Sequence, residues 1–197
     1  MVSAFCRKAG ASGKHKPSPV YLPEKVTFVY QSALRTTCEP ESEVLMMEIE
    51  FRKAETANAE QLIEIYNAAF YSDYLKYGEC PAYGKTREMM EQSIIDIPKH
   101  LIIHDGKPVG CISCKQLENG FYEVGCLCVI PEFQGKGIGT AAMGFAKSYY
   151  KDWNKFTLVT PVDKNENVKF YTEKCGFDIQ SVEMDGNVKV YRFVLER

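Results

Sequence analysis

The sequence predicts an α/β fold, in which a mixed β-sheet carries helices on both of its faces. Strand-like apolar runs alternate with segments of helical periodicity, and Asp105-Gly106 is a turn of the kind that joins antiparallel strands. The elements follow one another in the order βααβββαβαββ, which is typical of a mixed sheet. With 197 residues and 45% hydrophobic content, the chain suits one packed domain.

The regular pattern begins near Glu48 and runs to the end of the chain. An alternating strand covers Ile49 to Ala54, and Asn58 is predicted to cap a helix from Ala59 to Phe70. We expect an aromatic-rich loop over 71–84, a helix over 86–97, strands over 100–104, 108–116 and 121–129, a helix over 138–150, a strand over 156–160, a helix over 166–174 and a hairpin pairing 177–184 with 189–195.

Residues 1–47 differ in composition and are predicted to be a disordered extension of the domain formed by residues 48–197. Residues 7–25 carry Lys, Gly, Ser and Pro with little periodicity, and residues 37–43 form another polar break. Within residues 1–47 only Val26 to Leu34 is expected to order, as an isolated strand or a short helix. A natural start at Met46 or Met47 is an alternative interpretation. No targeting peptide is expected, because the segment has no apolar h-region.

Composition argues against several classes of partner. The net charge is −2 and no basic stripe occurs, so we expect no nucleic-acid partner. No run approaches the roughly 18 apolar residues of a membrane span.

Of the eight cysteines, several lie in apolar strand-like runs, which favours reduced thiols in the cytoplasm. Cys111 and Cys114, with Cys126 and Cys128, could suggest zinc, but strand alternation puts the first two on opposite faces, so no metal is expected.

A glycine-rich loop precedes the third predicted helix, with the sequence Gln134-Gly135-Lys136-Gly137-Ile138-Gly139-Thr140. Glycines here let backbone N–H groups converge at the positive end of a helix dipole, which makes a site for phosphate or pyrophosphate. A P-loop requires Gly-Lys-Ser/Thr, and a dinucleotide-binding loop requires GxGxxG within a parallel βαβ unit. The GxGxG spacing after three antiparallel strands fits neither class.

Two motifs carry a resemblance to a known family. Gln134-x-x-Gly137-x-Gly139 resembles the acetyl-CoA signature of the GCN5-related N-acetyltransferases, the GNAT superfamily. The segment from Asn165 to Phe177 is similar to the family's second signature, N…FYxxxGF. The resemblance covers residues 48–197. It implies a splayed central sheet and acetyl-CoA as cosubstrate. We also expect the protein to be a monomer or a homodimer.

The resemblance also implies which residues hold acetyl-CoA. Backbone atoms of Leu127, Cys128 and Val129 would pair with the pantetheine arm as an added strand does. The pyrophosphate would be held by the amides of Gln134, Gly135, Lys136, Gly137, Ile138, Gly139 and Thr140. Asn165 or Asn167 would contact CoA. Because the spacing to the tyrosine departs by one residue from the commonest pattern, either asparagine fits, and a helix cap is the alternative role for both.

Two side chains are expected to act in catalysis. An alkylamine of pKa near 10 must lose a proton at a cost of about 4 kcal/mol at pH 7 before it attacks a thioester. Glu123 lies where one branch of the family carries its base; a solvated strand glutamate is the alternative. Tyr171 matches the family tyrosine that assists the departing thiolate. Because proton donation from a phenol is uphill by about 2 kcal/mol, we expect a hydrogen bond with late transfer.

The resemblance names the donor but leaves the acceptor open. We expect acetyl transfer to a primary amine of a small molecule by direct attack in a ternary complex. The alternatives are a protein N-terminal or lysine acetyltransferase, which needs an open peptide groove, and a non-catalytic acyl-CoA-binding protein. The family's acceptor region here holds aromatic and acidic residues that suit a cationic amine, or that merely pack the loop: Tyr66, Tyr71, Asp73, Tyr74, Tyr77, Glu79 and Tyr83.

Overall fold

The computed structural model of the protein describes residues 25–31 and 46–197, and in this part of the chain eight strands form one sheet. The strands are β1 (Lys25–Gln31), β2 (Met46–Lys53), β3 (Lys99–His104), β4 (Lys107–Glu118), β5 (Phe121–Val129), β6 (Lys155–Pro161), β7 (Asp178–Asp185) and β8 (Val188–Glu196). The helices are α1 (Ala59–Tyr77), α2 (Arg87–Asp96), α3 (Ile138–Tyr149) and α4 (Asn165–Lys169). A π-helical turn, Phe170–Lys174, continues α4.

The sheet order is β1-β2-β3-β4-β5-β6-β8-β7. Adjacent strands are antiparallel except for β5 and β6, which are parallel. The predicted α/β fold with its mixed sheet is therefore confirmed, and the predicted element order is found from β2 onward. No helix in the described part of the chain combines the length and apolar character needed to cross a membrane.

Two apolar clusters cover the two faces of the sheet. On one face α3 packs its stripe of Ile138, Ala141, Ala142, Phe145 and Ala146 against the sheet, and the ring of Phe145 stacks on that of Phe51 at 4.3 Å. On the other face, α1 and α2 contribute residues such as Leu62, Phe70 and Met90. We call these the α3 face and the α1–α2 face.

A β-bulge at Gly125 changes which residues of β5 point to each face. Ser113 of β4 pairs with Cys126, and its neighbour Cys114 pairs with Val124, so Gly125 is the extra residue. Val124 packs on the α3 face, whereas Cys126 packs on the α1–α2 face. Since both neighbours of Glu123 face α3, the Glu123 side chain points to the α1–α2 face, together with that of Cys126.

Two local predictions about α1 were wrong. The helix was expected to end at Phe70, but it continues to Tyr77, where Gly78 in the left-handed conformation ends it and donates to the Tyr74 carbonyl at 3.0 Å. Asn58 precedes α1, but its side chain does not cap it. Its Oδ1 instead accepts a hydrogen bond from the Glu55 backbone N–H at 3.0 Å, within a short turn before the helix.

The amino-terminal segment contributes one strand. The segment from Val26 to Leu34 was expected to form an isolated strand or a short helix; strand β1 forms there and pairs with β2 along its whole length. Residues 1–24 and 32–45 lie outside the described residues. The disordered extension and the domain boundary at residue 48 stay predictions.

Candidate active site

The two central strands separate at the middle of the sheet. Strands β5 and β6 pair through Phe121, Tyr122 and Glu123 with Lys155, Phe156 and Thr157, and the pairing ends there. Beyond that point β6 continues along β8 and β5 continues along β4. A cleft therefore opens between β5 and β6, and one backbone edge of β5 faces it.

The cleft edge of β5 carries the residues predicted to pair with pantetheine. Leu127, Cys128 and Val129 are buried and pair on their other side with Ile112, Cys111 and Gly110 of β4. In an extended strand the backbone groups point alternately to the two sides. The groups directed at β6 can therefore bond an extended ligand in the way that a sheet edge accepts a new strand.

The glycine loop closes one end of this cleft. The Gln134 side chain donates to the Val129 carbonyl at 2.7 Å and so fastens the loop to the end of β5. Gly135 and Gly137 have φ of 77° and 83°, in the left-handed region that favours glycine, and α3 begins at Ile138. A Cβ on Gly135 would meet no protein atom within 4 Å, so the space in front of it is open. The first-turn amides of α3 lack partners within the helix and suit a pyrophosphate.

Tyr171 packs on the α3 face, near the part of β5 that borders the cleft. It is fully buried and packs against the rings of Phe177 and Phe193. Burial raises the pKa of its hydroxyl well above the ordinary value, and the nearby thiols of Cys175, Cys126 and Cys128 raise that pKa further. The hydroxyl has no hydrogen-bond partner among the described residues. A buried phenol kept neutral and unsatisfied fits a ligand acceptor such as a thiol or thiolate sulfur.

The π-helical turn places Tyr171 within the helix-to-strand connection. The Cys175 N–H donates to the Phe170 carbonyl at 3.2 Å, five residues back, and the Phe177 N–H donates to the Tyr171 carbonyl at 2.9 Å. Such turns occur often at functional sites, because they alter the direction of a side chain without ending the helix.

Glu123 lies at the point where the strands separate, on the opposite face from Tyr171. Its strand partners are Lys115 on β4 and Thr157 on β6. The Arg192 guanidinium donates to the Thr157 hydroxyl at 3.2 Å and to a Glu183 carboxylate oxygen at 2.8 Å. The hydrogen bond with Glu183 raises the pKa of Arg192, burial opposes this, and the charges of Glu183 and Glu123 raise it further. Glu123 is thus part of a charged group on the α1–α2 face.

The two candidate asparagines occupy different environments. Asn165 is exposed at the start of α4. Asn167 is buried, and its side-chain amide donates to the Thr160 hydroxyl of β6 at 3.1 Å. Lys164, rather than either asparagine, occupies the cap position of α4. The choice between Asn165 and Asn167 as a CoA contact stays a prediction.

Most of the predicted acceptor residues pack against one another or pair with neighbouring loops. The ring of Tyr74 stacks on that of Tyr83 at 4.6 Å. Asp73 is buried and both of its carboxylate oxygens contact the ammonium of Lys164, at 2.5 Å for Oδ2. Tyr77 donates to Asp163 at 2.6 Å. The Asp73 carboxylate is thereby neutralised rather than presented to a cationic ligand.

The cysteines are divided between the two faces. Cys111, Cys126 and Cys128 lie in the α1–α2 cluster, and Cys114 lies in the α3 cluster, as the strand alternation predicts for Cys111 and Cys114. Six cysteines of the described residues are free and buried. The described residues contain no group of three or more His, Cys, Asp or Glu side chains suited to hold a metal ion.

Sequence reasoning missed Lys164 and Arg192. Lys164 contacts Asp73 across 91 residues of sequence, a separation at which no local pattern can signal a pair. Arg192 gave a weak signal, because it stands alone as a charge in the apolar run from Val190 to Leu195. In a strand, that position marks a face that meets polar groups.

Comparison with known proteins places the chain in a family. The sequence model of the Acetyltransferase (GNAT) family matches residues 59–177, and the chain belongs to that family. The chain is 33% identical over 107 residues to the uncharacterized protein YrkN of Bacillus subtilis, a match that covers 52% of this chain and 58% of that relative. The resemblance inferred from the two motifs is therefore confirmed, and residues 59–177 carry the sequence pattern of that family.

Solved structures of acetyltransferases share the fold at low sequence identity. PaiA N-acetyltransferase from Thermoplasma acidophilum, in complex with coenzyme A, has a TM-score of 0.64 at 19% identity, over 76% of this chain and 99% of that one. An acetyltransferase from Salmonella typhimurium that modifies the N-terminal serine of a ribosomal protein has a TM-score of 0.61 at 14% identity, over 76% and 95%. The aminoglycoside acetyltransferase AAC(6')-Ib, in complex with coenzyme A, has a TM-score of 0.59 at 15% identity, over 75% and 94%. These likenesses concern the fold alone.

Proposed function

We propose that this acetyltransferase transfers the acetyl group to a primary amine of a small molecule, by direct attack within a ternary complex. The observation that carries this choice of acceptor is a contact across the α1–α2 face. The tip of the β7–β8 hairpin meets the loop after α1, where the Asn187 amide donates to Glu79 Oε1 at 3.5 Å. At this end the contact bounds the space in front of the cleft.

The end of α1 strengthens this closure. The Tyr77 ring packs on the cluster of Val159, Val188 and Val190, and its hydroxyl bonds Asp163. Lys76 adds an ion pair to Asp163 at 2.8 Å. A peptide acceptor requires an open groove along which its chain can lie, whereas a small amine requires only a bounded pocket. The joined loop and hairpin therefore favour the small molecule.

The positions of Glu123 and Tyr171 fit a reaction in which the amine attacks from the α1–α2 face and the CoA thiolate departs toward the α3 face. Acetyl-CoA supplies a thioester whose carbonyl carbon the amine attacks. Glu123 lies on the α1–α2 face and would take the ammonium proton, directly or through water. Tyr171 packs on the α3 face, and its hydroxyl would donate a hydrogen bond to the departing sulfur. Because burial raises the Tyr171 pKa, stabilisation by that hydrogen bond is favoured over early proton transfer.

Two further expectations accompany this function. The buried, reduced thiols favour a reducing compartment such as the cytoplasm. A monomer or a homodimer is expected in solution.

The proposed acceptor class is tested by acetyl-CoA consumption across polyamines, aminoglycosides, amino acids and peptides. Product should be identified by mass, because the eight cysteines would interfere with a thiol reagent. We expect acetylated small amines and no acetylated peptide. Turnover of peptides alone would refute the small-molecule assignment, and binding of acetyl-CoA without turnover of any amine would refute catalysis.

A further inference from the structure

A buried lysine on the α1–α2 face is not used by the proposed chemistry. Lys99, the first residue of β3, is 3% exposed. Its side chain is on the same face as Leu101 and Ile103, two and four residues further along the strand, which pack in the α1–α2 cluster. None of the described residues gives its ammonium a hydrogen bond or an ion pair. Burial of a charge without a counter-charge is costly, so such a group suits an anion.

The sheet register places Lys99 in line with the bulge of β5. Lys99 pairs with Ser113 of β4, and Ser113 pairs with Cys126, the residue after Gly125. Neighbouring strands are about 4.8 Å apart, so roughly 10 Å separates the Lys99 backbone from β5. On the α1–α2 face Lys99, Ser113 and Cys126 therefore form one row across three neighbouring strands, and the row ends at the bulge of β5.

Ser113 adds a hydroxyl that points the same way. It is 2% exposed, and its Oγ lies 3.5 Å from the position that a Cβ on Gly125 would occupy. The hydroxyl is thus directed at the bulge on the α1–α2 face, where Gly125 itself offers no side chain. A hydroxyl and an ammonium side by side make a pair of donors for one carboxylate.

The electrostatics of Cys126 indicate that positive charge converges here. The pKa of the Cys126 thiol is lowered on balance: burial raises it, whereas hydrogen bonds with Cys128 and Tyr66 and then the charges of Lys99 and Lys85 lower it. Lys85 lies in the connection between α1 and α2. Lysines from two different elements therefore contribute positive charge near Cys126.

We infer that Lys99, with Ser113 beside it, forms the anion-binding end of the acceptor site, so that the acceptor is a small amine that also carries a carboxylate. The inference rests on the proposed acetyl transfer to a small amine. Glu123 lies two residues before the bulge and would meet the amino group, and Lys99 would meet the carboxylate on the far side of the bulge. A zwitterion such as an amino acid satisfies both ends.

The test compares amines that differ only by the carboxylate. Lysine is paired with cadaverine, and tyrosine with tyramine, and kcat/KM is measured for each with acetyl-CoA. In at least one pair we expect the amino acid to exceed its decarboxylated partner roughly tenfold or more, as a charge-assisted contact allows. Lys99→Met keeps the length of the side chain and removes its charge, and it should bring that ratio close to one. Lys107→Met, at an exposed position of β4, is the matched control and should retain the ratio.

A binding measurement separates this inference from the proposed catalysis. With CoA filling the donor site, calorimetry should give a lower Kd for the amino acid than for its decarboxylated partner in the wild-type protein and equal Kd values in Lys99→Met. Thermal unfolding of Lys99→Met checks that it is folded. Turnover of cadaverine and tyramine at least as fast as of the amino acids would overturn the inference and leave the proposed function standing. Retention of the preference in Lys99→Met would overturn it as well. Acetylation of peptides alone would instead refute the proposed function.

Discussion

Replacement of Tyr171 by phenylalanine is expected to lower activity and raise stability at once. The hydroxyl is fully buried and has no partner among the described residues, which costs about 1–3 kcal/mol in the ligand-free protein. Tyr171→Phe removes that cost, so the free energy of unfolding should rise by about 1 kcal/mol or more. For a chain of this size, that corresponds to an increase in Tm of roughly 2–4 °C.

The effect on catalysis has the opposite sign. A hydrogen bond from the hydroxyl to a departing thiolate is worth about 1.5–3 kcal/mol, so kcat should fall roughly 10- to 150-fold. The KM for acetyl-CoA should change much less, because the bond strengthens as the sulfur gains charge. Initial rates and thermal unfolding of the ligand-free protein measure the two quantities.

Tyr150→Phe is the matched control for this prediction. The Tyr150 hydroxyl is likewise buried without a partner in the described part of the chain, but it packs between Tyr122 and Tyr149, outside the cleft. Its removal should raise Tm and leave kcat unchanged. If Tyr171→Phe lowered Tm, or lowered kcat no more than Tyr150→Phe, the role assigned to Tyr171 would be wrong.

Three further variants test other parts of the account. Glu123→Gln should reduce kcat/KM about 100-fold or more and remove the acid limb of its pH profile, with the exposed Glu118→Gln as control; an unchanged profile would place the base elsewhere. Burial, with the charge of Lys53, lowers the pKa of His100 to about 4. Above pH 6.5 the ring is neutral in both the folded and the unfolded chain, and the fold has its full stability. As pH falls from about 6.5 to about 4, the unfolded chain binds a proton that the folded protein does not, so the free energy of unfolding falls by about 3 kcal/mol. Denaturant unfolding of His100→Phe should have a shallower pH dependence in that window, and an unchanged dependence would refute this. Gly137→Ala should raise the KM for acetyl-CoA and destabilise by about 1 kcal/mol, because φ is 83°. Gly106→Ala, at φ 73° in a distant turn, should destabilise equally and leave KM unchanged; an equal rise in KM would contradict the loop's role.

The glycine loop was predictable because its signals are local. Gln134, Gly137 and Gly139 occur between a strand and an amphipathic helix, and the strand and helix each follow from apolar periodicity. The position of Tyr171 in a helix-to-strand connection was predictable for a similar reason, since the Phe170-Tyr171 pair has recognisable neighbours, whereas its role stays a prediction. The structure adds that its hydroxyl is buried without a partner, which no sequence pattern could indicate.

The end of α1 was not predictable, because its cause lies far along the chain. The polar and aromatic composition of residues 71–77 predicts a loop. The segment is helical because Asp73 is held by Lys164 and Tyr77 by Asp163, from a connection that follows β6. Tertiary contacts of this kind override local propensity.

The bulge at Gly125 was also invisible in the sequence. The sequence from Glu123 to Val129 predicts an ordinary strand. Regular alternation along such a strand would put the side chains of Glu123 and Cys126 on opposite faces. The extra residue in the register puts Glu123 on the same face as Cys126, which is also the face of Ser113 and Lys99. A lysine at the end of a predicted strand is expected to lie in solvent. The burial of Lys99 could not be predicted, because it depends on how α1 and α2 cover β3.

A crystal structure of the protein with bound CoA tests the central claim most directly. We expect the pyrophosphate on the amides of the loop from Gln134 to Thr140, and the pantetheine arm along the cleft edge of β5. The sulfur should lie within hydrogen-bond distance of the Tyr171 hydroxyl. A sulfur remote from Tyr171, or a pyrophosphate bound away from the glycine loop, would contradict the account.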